Sequence, residues 1–161
     1  MFYDAELVFL KDILNKYHLR AFVFNPNDNI RDIIDTWAGG FFLPSDNQIT
    51  FNEMFPDIKG NTIYKFTDML MCSYYFLLLP KTDNPLILSI GPYLKQEINR
   101  TLMLERAESL NLDPRGTGSL EYYLGNTPFI RDEAHIFALV CTFADRIWGG
   151  PQNYTVTDLK G

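Results

Sequence analysis

The sequence has little of what nucleic-acid binding or membrane insertion requires. It contains 14 Lys+Arg against 20 Asp+Glu among 161 residues, so its net charge is −6, and no two basic residues are adjacent. Binding to nucleic-acid phosphates needs clustered Lys and Arg, so we expect this chain to make no direct contact with nucleic acid. The longest apolar run covers only 74–80, whereas a membrane span needs about 20 apolar residues, and no membrane association is expected.

Cysteine and histidine are also scarce. Cys72 and Cys141 are the two cysteines, too few for the disulfide framework of a small secreted domain. The first residues show neither the basic segment nor the apolar core of a signal peptide, and we therefore expect a cytoplasmic protein. No pairing of these cysteines with His18 or His135 has the short spacing typical of zinc ligands, so no metal site is predicted.

Catalytic constellations are missing as well. A nucleophilic pair of Cys72 or Cys141 with His135 stays open as an alternative, but both cysteines lie in apolar stretches, where a buried thiol is unreactive. Acidic pairs such as Asp132 and Glu133 fall on the polar faces of predicted helices, where solvated charges are the common case. We predict no catalytic residues and no cofactor, and expect a protein that is not an enzyme.

Apolar and aromatic residues are what the chain has in abundance. Apolar residues make up 47%, and the chain contains 13 Phe, 9 Tyr and 2 Trp. This composition excludes a disordered tail. The length suits one domain that buries roughly 70% of its unfolded surface, and we expect residues 1–150 to form it.

Hydrophobic periodicity predicts helices and strands in a mixed order. Helices are expected over 3–18, 30–37, 94–110, 119–124 and 132–148, and strands over 20–24, 61–67, 72–79 and 86–91. Three consecutive strands with short connections predict an antiparallel meander. The expected fold class is therefore α+β, with a central antiparallel sheet flanked by N-terminal and C-terminal helices.

Proline and glycine mark the expected boundaries of these elements. Pro92 is predicted to end the third meander strand, and Pro114 together with 116–118 is predicted to interrupt the helical pattern. Asp132 is expected to cap the last helix, which the glycines at 149 and 150 would end. The polar residues 151–161 are predicted to begin a linker to a further C-terminal domain.

Aromatic side chains alternate along the predicted strands. Because successive side chains of a strand point to opposite faces, the rings of each strand are expected to share one face of the sheet. Such a face can line a small-molecule pocket, with a few hydroxyls as polar anchors. The candidate ligand-binding residues are Phe22, Phe24, Tyr64, Phe66, Cys72, Tyr74, Phe76 and Ser89.

An ordinary hydrophobic core explains the same rings without any ligand, and it is the commoner use of buried aromatics. Ser89 and Gly91 favour the pocket, because small residues at the end of an otherwise apolar strand leave room for a ligand. Both interpretations place the rings on the same face of the sheet.

Several segments together resemble a known group of regulators. They are Tyr64-Lys-Phe-Thr-Asp68, Cys72-Ser-Tyr-Tyr-Phe76-Leu-Leu-Leu-Pro80, Leu88-Ser-Ile-Gly91-Pro92-Tyr93, Phe137-Ala-Leu and Phe143-Ala-Asp-Arg146-Ile-Trp148-Gly-Gly. These segments resemble the N-terminal regions of AraC-type transcription regulators from anaerobic Gram-positive bacteria, over about residues 60–150. The resemblance implies a GAF- or PAS-like sensor domain that precedes a helix-turn-helix domain.

The resemblance also sets expectations for partners. No helix-turn-helix pattern lies within the 161 residues, so this chain would be the sensor half, with DNA contacts made by a further domain. We expect it to bind an unknown small-molecule effector and to form a homodimer through helices 3–18 and 132–148. The alternative is a ligand-free structural or dimerisation module, which an exposed apolar stripe on either helix would favour. A small enzyme is the third hypothesis.

Overall fold

A five-stranded sheet with helices on both faces forms the described part of the protein. The computed structural model describes residues 1–29, 50–80 and 83–159. The helix predicted over 30–37 therefore lies outside the described residues. The described helices are α1 Asp4–Asn15, α2 Phe51–Met54, α3 Arg100–Ser109, α4 Pro114–Gly125 and α5 Glu133–Trp148, followed by a 3₁₀ turn, Pro151–Asn153. The predicted α+β class is confirmed.

The sheet contains the predicted meander at its centre. Its strands are β1 Ala21–Phe24, β2 Thr62–Thr67, β3 Cys72–Leu79, β4 Leu86–Leu94 and β5 Thr155–Leu159. They lie in the order β1-β4-β3-β2-β5. The pairs β1–β4, β4–β3 and β3–β2 are antiparallel, but β2–β5 is parallel. The prediction of an antiparallel sheet is thus correct for four strands and wrong for the fifth.

The fifth strand, β5, occupies part of the segment that the sequence predicts as linker. Thr155 donates its backbone N–H to the Asn61 carbonyl oxygen at 3.1 Å, and Val156 then lies opposite Ile63 of β2. The Tyr154 hydroxyl donates to Asp145 Oδ1 at 2.7 Å and holds the strand against α5. Because an edge strand has one neighbour and a solvated side, it tolerates the polar sequence that suggested a linker.

The end of β4 also differs from the prediction, because Pro92 does not end the strand. Ser73 pairs with Tyr93 and Tyr75 pairs with Ile90, so two residues of β4 face one residue of β3 in a bulge. Gly91 has φ of 132°, and a Cβ there would lie 2.7 Å from the Ser73 carbonyl oxygen. Glycine is therefore required at the bulge, and a bulge also accommodates proline within a sheet.

Helix boundaries follow their capping residues. Asp132 Oδ1 accepts the His135 N–H at 3.3 Å, and Gly149 ends α5 with a φ of 86°, as predicted. The predicted start at 94 is too early, because Leu94 pairs with Cys72 in the sheet and Asn99 caps α3. Asp113 caps α4 and Pro114 is its first residue, a position that needs no N–H donor, so proline begins this helix rather than interrupting it.

Two hydrophobic cores lie on opposite faces of the sheet. The first, which we call the aliphatic face, packs strand residues such as Leu77, Leu88 and Ile90 against α1 and α5. The second, which we call the ring-lined face, packs strand aromatics such as Phe76 against α2, α3 and α4. The alternation of the strands therefore places most strand phenylalanines on the ring-lined face, whereas Tyr75 and Tyr93 lie on the aliphatic face.

Candidate functional site

All eight predicted ligand-binding residues lie on the ring-lined face. They are Phe22, Phe24, Tyr64, Phe66, Cys72, Tyr74, Phe76 and Ser89. Tyr64 lies opposite Phe76 and Phe66 opposite Tyr74 across β2 and β3. Ser89 lies opposite both Phe22 and Phe76, at the centre of the face. The predicted shared face is confirmed, whereas the ligand-binding role stays a prediction.

The rings of this face pack on one another. Phe51 of α2 is fully buried, and its ring centroid lies 5.2 Å from that of Phe24, 5.1 Å from that of Phe76 and 5.0 Å from that of Phe55. The Phe66 ring packs against this group, with its centroid 5.0 Å from that of Phe55. These separations are those of closely packed aromatic pairs. The packing favours a core role for most of these rings.

Ser89 is the exception on this face. Its side chain is 0% exposed, and in the described part of the chain its Oγ has no hydrogen-bond partner. A buried hydroxyl without a partner costs roughly 1–3 kcal/mol. Ser89 is therefore the one predicted anchor that still has unused hydrogen-bonding capacity.

A polar cluster lies at the turn between β2 and β3. Asp68 Oδ1 accepts the backbone N–H groups of Leu70 at 2.8 Å and Cys72 at 2.9 Å, and Asp68 Oδ2 accepts the Tyr74 hydroxyl at 2.8 Å. Burial raises the pKa of Asp68 to about 6, although these donors and the charge of Arg106 lower it. The carboxylate closes the turn and is poised to take up a proton in mildly acidic solution.

The cysteines are placed as structural thiols. Burial, with the charge of Asp68 as a smaller cause, raises the pKa of the Cys72 thiol far above its usual range. Burial also raises the pKa of the Cys141 thiol. The His135 ring contacts Tyr17, with 5.6 Å between ring centroids. A high pKa disfavours the thiolate that a nucleophilic cysteine needs. Within the described ranges, no group of three metal-ligating side chains occurs.

Helix α1 exposes a second apolar surface in addition to its buried one. Half of the large apolar side chains exposed in the described ranges lie within residues 1–17: Met1, Phe2, Val8, Phe9 and Tyr17. Phe9 is 65% exposed, Val8 59% and Phe2 56%. Beside them, α1 and α5 enclose a groove of about 260 Å³, lined mainly by apolar residues that include Phe9, Leu139 and Phe143. We call these exposed residues and this groove the α1 surface.

Two charged residues lie within the groove of the α1 surface. Glu6 and Arg146 both line it. Glu6 Oε2 is buried there, and no described residue donates a hydrogen bond to it. Among the described residues, this carboxylate oxygen therefore has unused hydrogen-bonding capacity.

A second cavity, of about 200 Å³, lies near the ends of β2 and β5. Its lining includes two lysines, Lys65 and Lys95, and two acids, Glu133 and Asp158. Tyr93, whose hydroxyl donates to Glu133 Oε1 at 3.0 Å, joins them. We call this the charged cavity.

Comparisons with known proteins identify no relative. No protein-family model, no curated protein and no solved structure matches this chain. Among the described helices, none has both the length and the apolar character that crossing a bilayer would require. We therefore argue function from the geometry of particular residues.

The sequence alone did not identify the residues of the α1 surface or of the charged cavity. Phe9 follows Val8 in an ordinary helical pattern, and only its exposure distinguishes it from a core residue. Asp158 belongs to the segment predicted as linker, so nothing indicated that it lies opposite Lys65. Asp68 offered a weak signal, since Asp at a turn often accepts backbone N–H groups two residues on.

Proposed function

We propose that this chain is a self-associating regulatory domain that pairs through the α1 surface. The exposed side chains of Phe2, Val8 and Phe9 carry this proposal. Contiguous exposed apolar residues on a folded domain mark interaction sites, because their burial removes apolar area from water. Each fully buried large apolar side chain contributes roughly 1.5–3 kcal/mol.

A second copy of the chain fits this surface because the surface contains both protruding apolar side chains and a groove that can receive them. A twofold interface uses the same patch on both subunits. The α1 surface presents exposed apolar side chains such as Val8, and it also contains an apolar groove, lined in part by Phe9, that is able to receive apolar side chains of a second copy. It also contains Glu6 Oε2, which accepts no hydrogen bond from any described residue, and the Arg146 guanidinium. These groups are an acceptor and a donor for a pair across the twofold axis.

Within this proposal the domain is a GAF- or PAS-like module of an AraC-type regulator. The support is the sequence resemblance, together with a meander sheet whose first and last long helices pack on one face. Pairing of these helices would bring two DNA-binding domains together, and the chain itself would have no catalytic role. A change in the α1–α5 contact is then the natural route of a signal.

The mass of exposed-residue variants tests this proposal. We expect Phe9→Glu to be monomeric under conditions where the wild-type chain is a dimer, because it places a charge in the apolar interface. Tyr122→Glu on α4 is the matched control, since Tyr122 is also a highly exposed ring, at 76%. Light scattering measures the mass of each. Equal masses for Phe9→Glu and the wild-type chain would contradict pairing through α1.

Effector binding on the ring-lined face is the second candidate function. Ser89 Oγ favours it, because this buried hydroxyl has no hydrogen-bond partner among the described residues and a ligand donor or acceptor would satisfy it. Phe22, only partly buried, and Phe76 would provide the apolar walls on either side. The close packing of Phe51 against Phe76 supports the dimerisation role over this one.

A further inference from the structure

The charged cavity carries an inference that does not depend on self-association through α1. We propose that it binds a small zwitterion with an ammonium group and a carboxylate, of the class of a free amino acid. Lys65 and Lys95 would bind the carboxylate, and Glu133 and Asp158 the ammonium group.

The four charged side chains that line the cavity do not form ion pairs with one another in the described structure. In the described part of the chain none of the four forms an ion pair. Lys65 and Asp158 are register neighbours on β2 and β5, yet Lys65 Nζ lies over the Phe137 ring, 4.9 Å from its centroid. Charges that line one cavity without pairing keep their capacity for a charged ligand.

The balance of charge selects the ligand class. A phosphate-like dianion would meet the two lysines but also two carboxylates, which repel it. A divalent cation would meet the two carboxylates but also two ammonium groups. A molecule that carries one charge of each sign satisfies both pairs, and only such a molecule matches the whole lining.

The size of the cavity narrows the class further. Pockets for drug-sized ligands are about 300–1,000 Å³, so about 200 Å³ suits a smaller molecule, of the size of a free amino acid.

A buried tyrosine supports the lining of the cavity from behind. Tyr75 is 0% exposed and pairs across the strands with Lys65, and its ring stacks on that of the lining residue Tyr93 at 6.0 Å. Burial raises the pKa of the Tyr75 hydroxyl, and Tyr93 and Glu133 also act on it. Tyr75 therefore belongs to the same polar group as two residues that line the cavity.

Titration of the ¹⁵N-labelled full chain with L-leucine, followed by amide chemical shifts, tests the proposal. We expect saturable shifts centred on 155–159 and the neighbouring part of β2. Leucine methyl ester lacks the carboxylate and 4-methylpentanoate lacks the ammonium group, so each should bind about tenfold more weakly or worse. L-Alanine and L-valine, which are smaller zwitterions, then test whether the size of the cavity selects among amino acids.

Two exposed residues supply the variants. Lys95→Met and Asp158→Asn should each weaken L-leucine binding about tenfold or more, and both side chains are exposed, so the fold should persist. Arg115→Met and Asp12→Asn change exposed charges elsewhere and should leave binding unchanged. The proposal would be overturned if none of the three amino acids gave saturable shifts. It would also be overturned if the Lys95 and Asp158 variants bound L-leucine as tightly as the wild-type chain does. The mass of the chain, measured separately, reports on self-association alone.

Discussion

The two faces of the sheet are built from the same alternating strands but differ in what they leave unused. The ring-lined face buries interlocking aromatics, with Phe51 at their centre. The aliphatic face is covered by α1 and α5, and α1 still exposes Phe9 and Val8 on its outer side. The difference indicates that the rings mainly provide stability, whereas the outer surface of the aliphatic side is available for an interaction.

The largest expected effect on stability comes from a substitution within the core of the ring-lined face. Phe51→Ala should lower the free energy of unfolding by about 3–5 kcal/mol, because it leaves a cavity among three neighbouring rings. Val8→Ala, on the exposed side of α1, should change it by about 0.5 kcal/mol or less. Urea unfolding of both variants measures the two effects. Equal losses would contradict the division of roles between the two faces.

The next largest effect is the pH dependence that Asp68, on the ring-lined side, adds to the free energy of unfolding. Its folded pKa of about 6 lies above the ordinary value of 3.8, because of burial. The folded state therefore holds the proton more tightly, and the stabilisation from Asp68 is complete below about pH 4 and is lost as the pH rises to about 6. The loss is roughly 3 kcal/mol.

The matched variant for this pH dependence is Asp68→Asn, which does not titrate. Unfolding free energies of both chains should be compared from pH 3.5 to 7. The wild-type chain should lose stability across this window relative to Asp68→Asn. A difference that stays constant would contradict the raised pKa, because the hydrogen bonds from Tyr74, Leu70 and Cys72 would then balance burial. A difference that grows in favour of the wild type as the pH rises would show that these hydrogen bonds outweigh burial.

The smallest expected effect is at Ser89. Ser89→Ala removes a buried oxygen that has no partner among the described residues. The free energy of unfolding should therefore fall by no more than about 0.5 kcal/mol, or should increase. Thr62→Ala is the control, because the Thr62 hydroxyl donates to the Gly60 carbonyl oxygen at 3.2 Å and its loss should destabilise the chain. Chemical unfolding measures both. A larger loss at Ser89 than at Thr62 would mean that Ser89 contributes to the fold after all.

Regular patterns explain why most of the fold could be predicted from the sequence. The strands Thr62–Thr67 and Cys72–Leu79 alternate between two buried faces, and α5 has a clear apolar stripe between an aspartate cap and a glycine stop. Alternation alone places the candidate residues of each strand on a common face of that strand. Each of these signals is local and needs no knowledge of distant contacts.

The features that escaped prediction depend on contacts between distant segments. Strand β5 is polar because it lies at an edge, and its place beside β2 is fixed by contacts such as the hydrogen bond from Thr155 to Asn61. The bulge at Gly91 is set by the approach of the Ser73 carbonyl oxygen from the neighbouring strand. The exposure of Phe9 likewise depends on where α5 packs. Composition and spacing do not encode these relations.

The mass of the wild-type chain across a dilution series tests the central claim most directly. Sedimentation at concentrations up to about 1 mM detects even a weak association of about −4 kcal/mol. Pairing through the α1 surface predicts twice the chain mass of 18.7 kDa at high concentration, with a fall to the single-chain mass on dilution. A mass of 18.7 kDa at every concentration would contradict it.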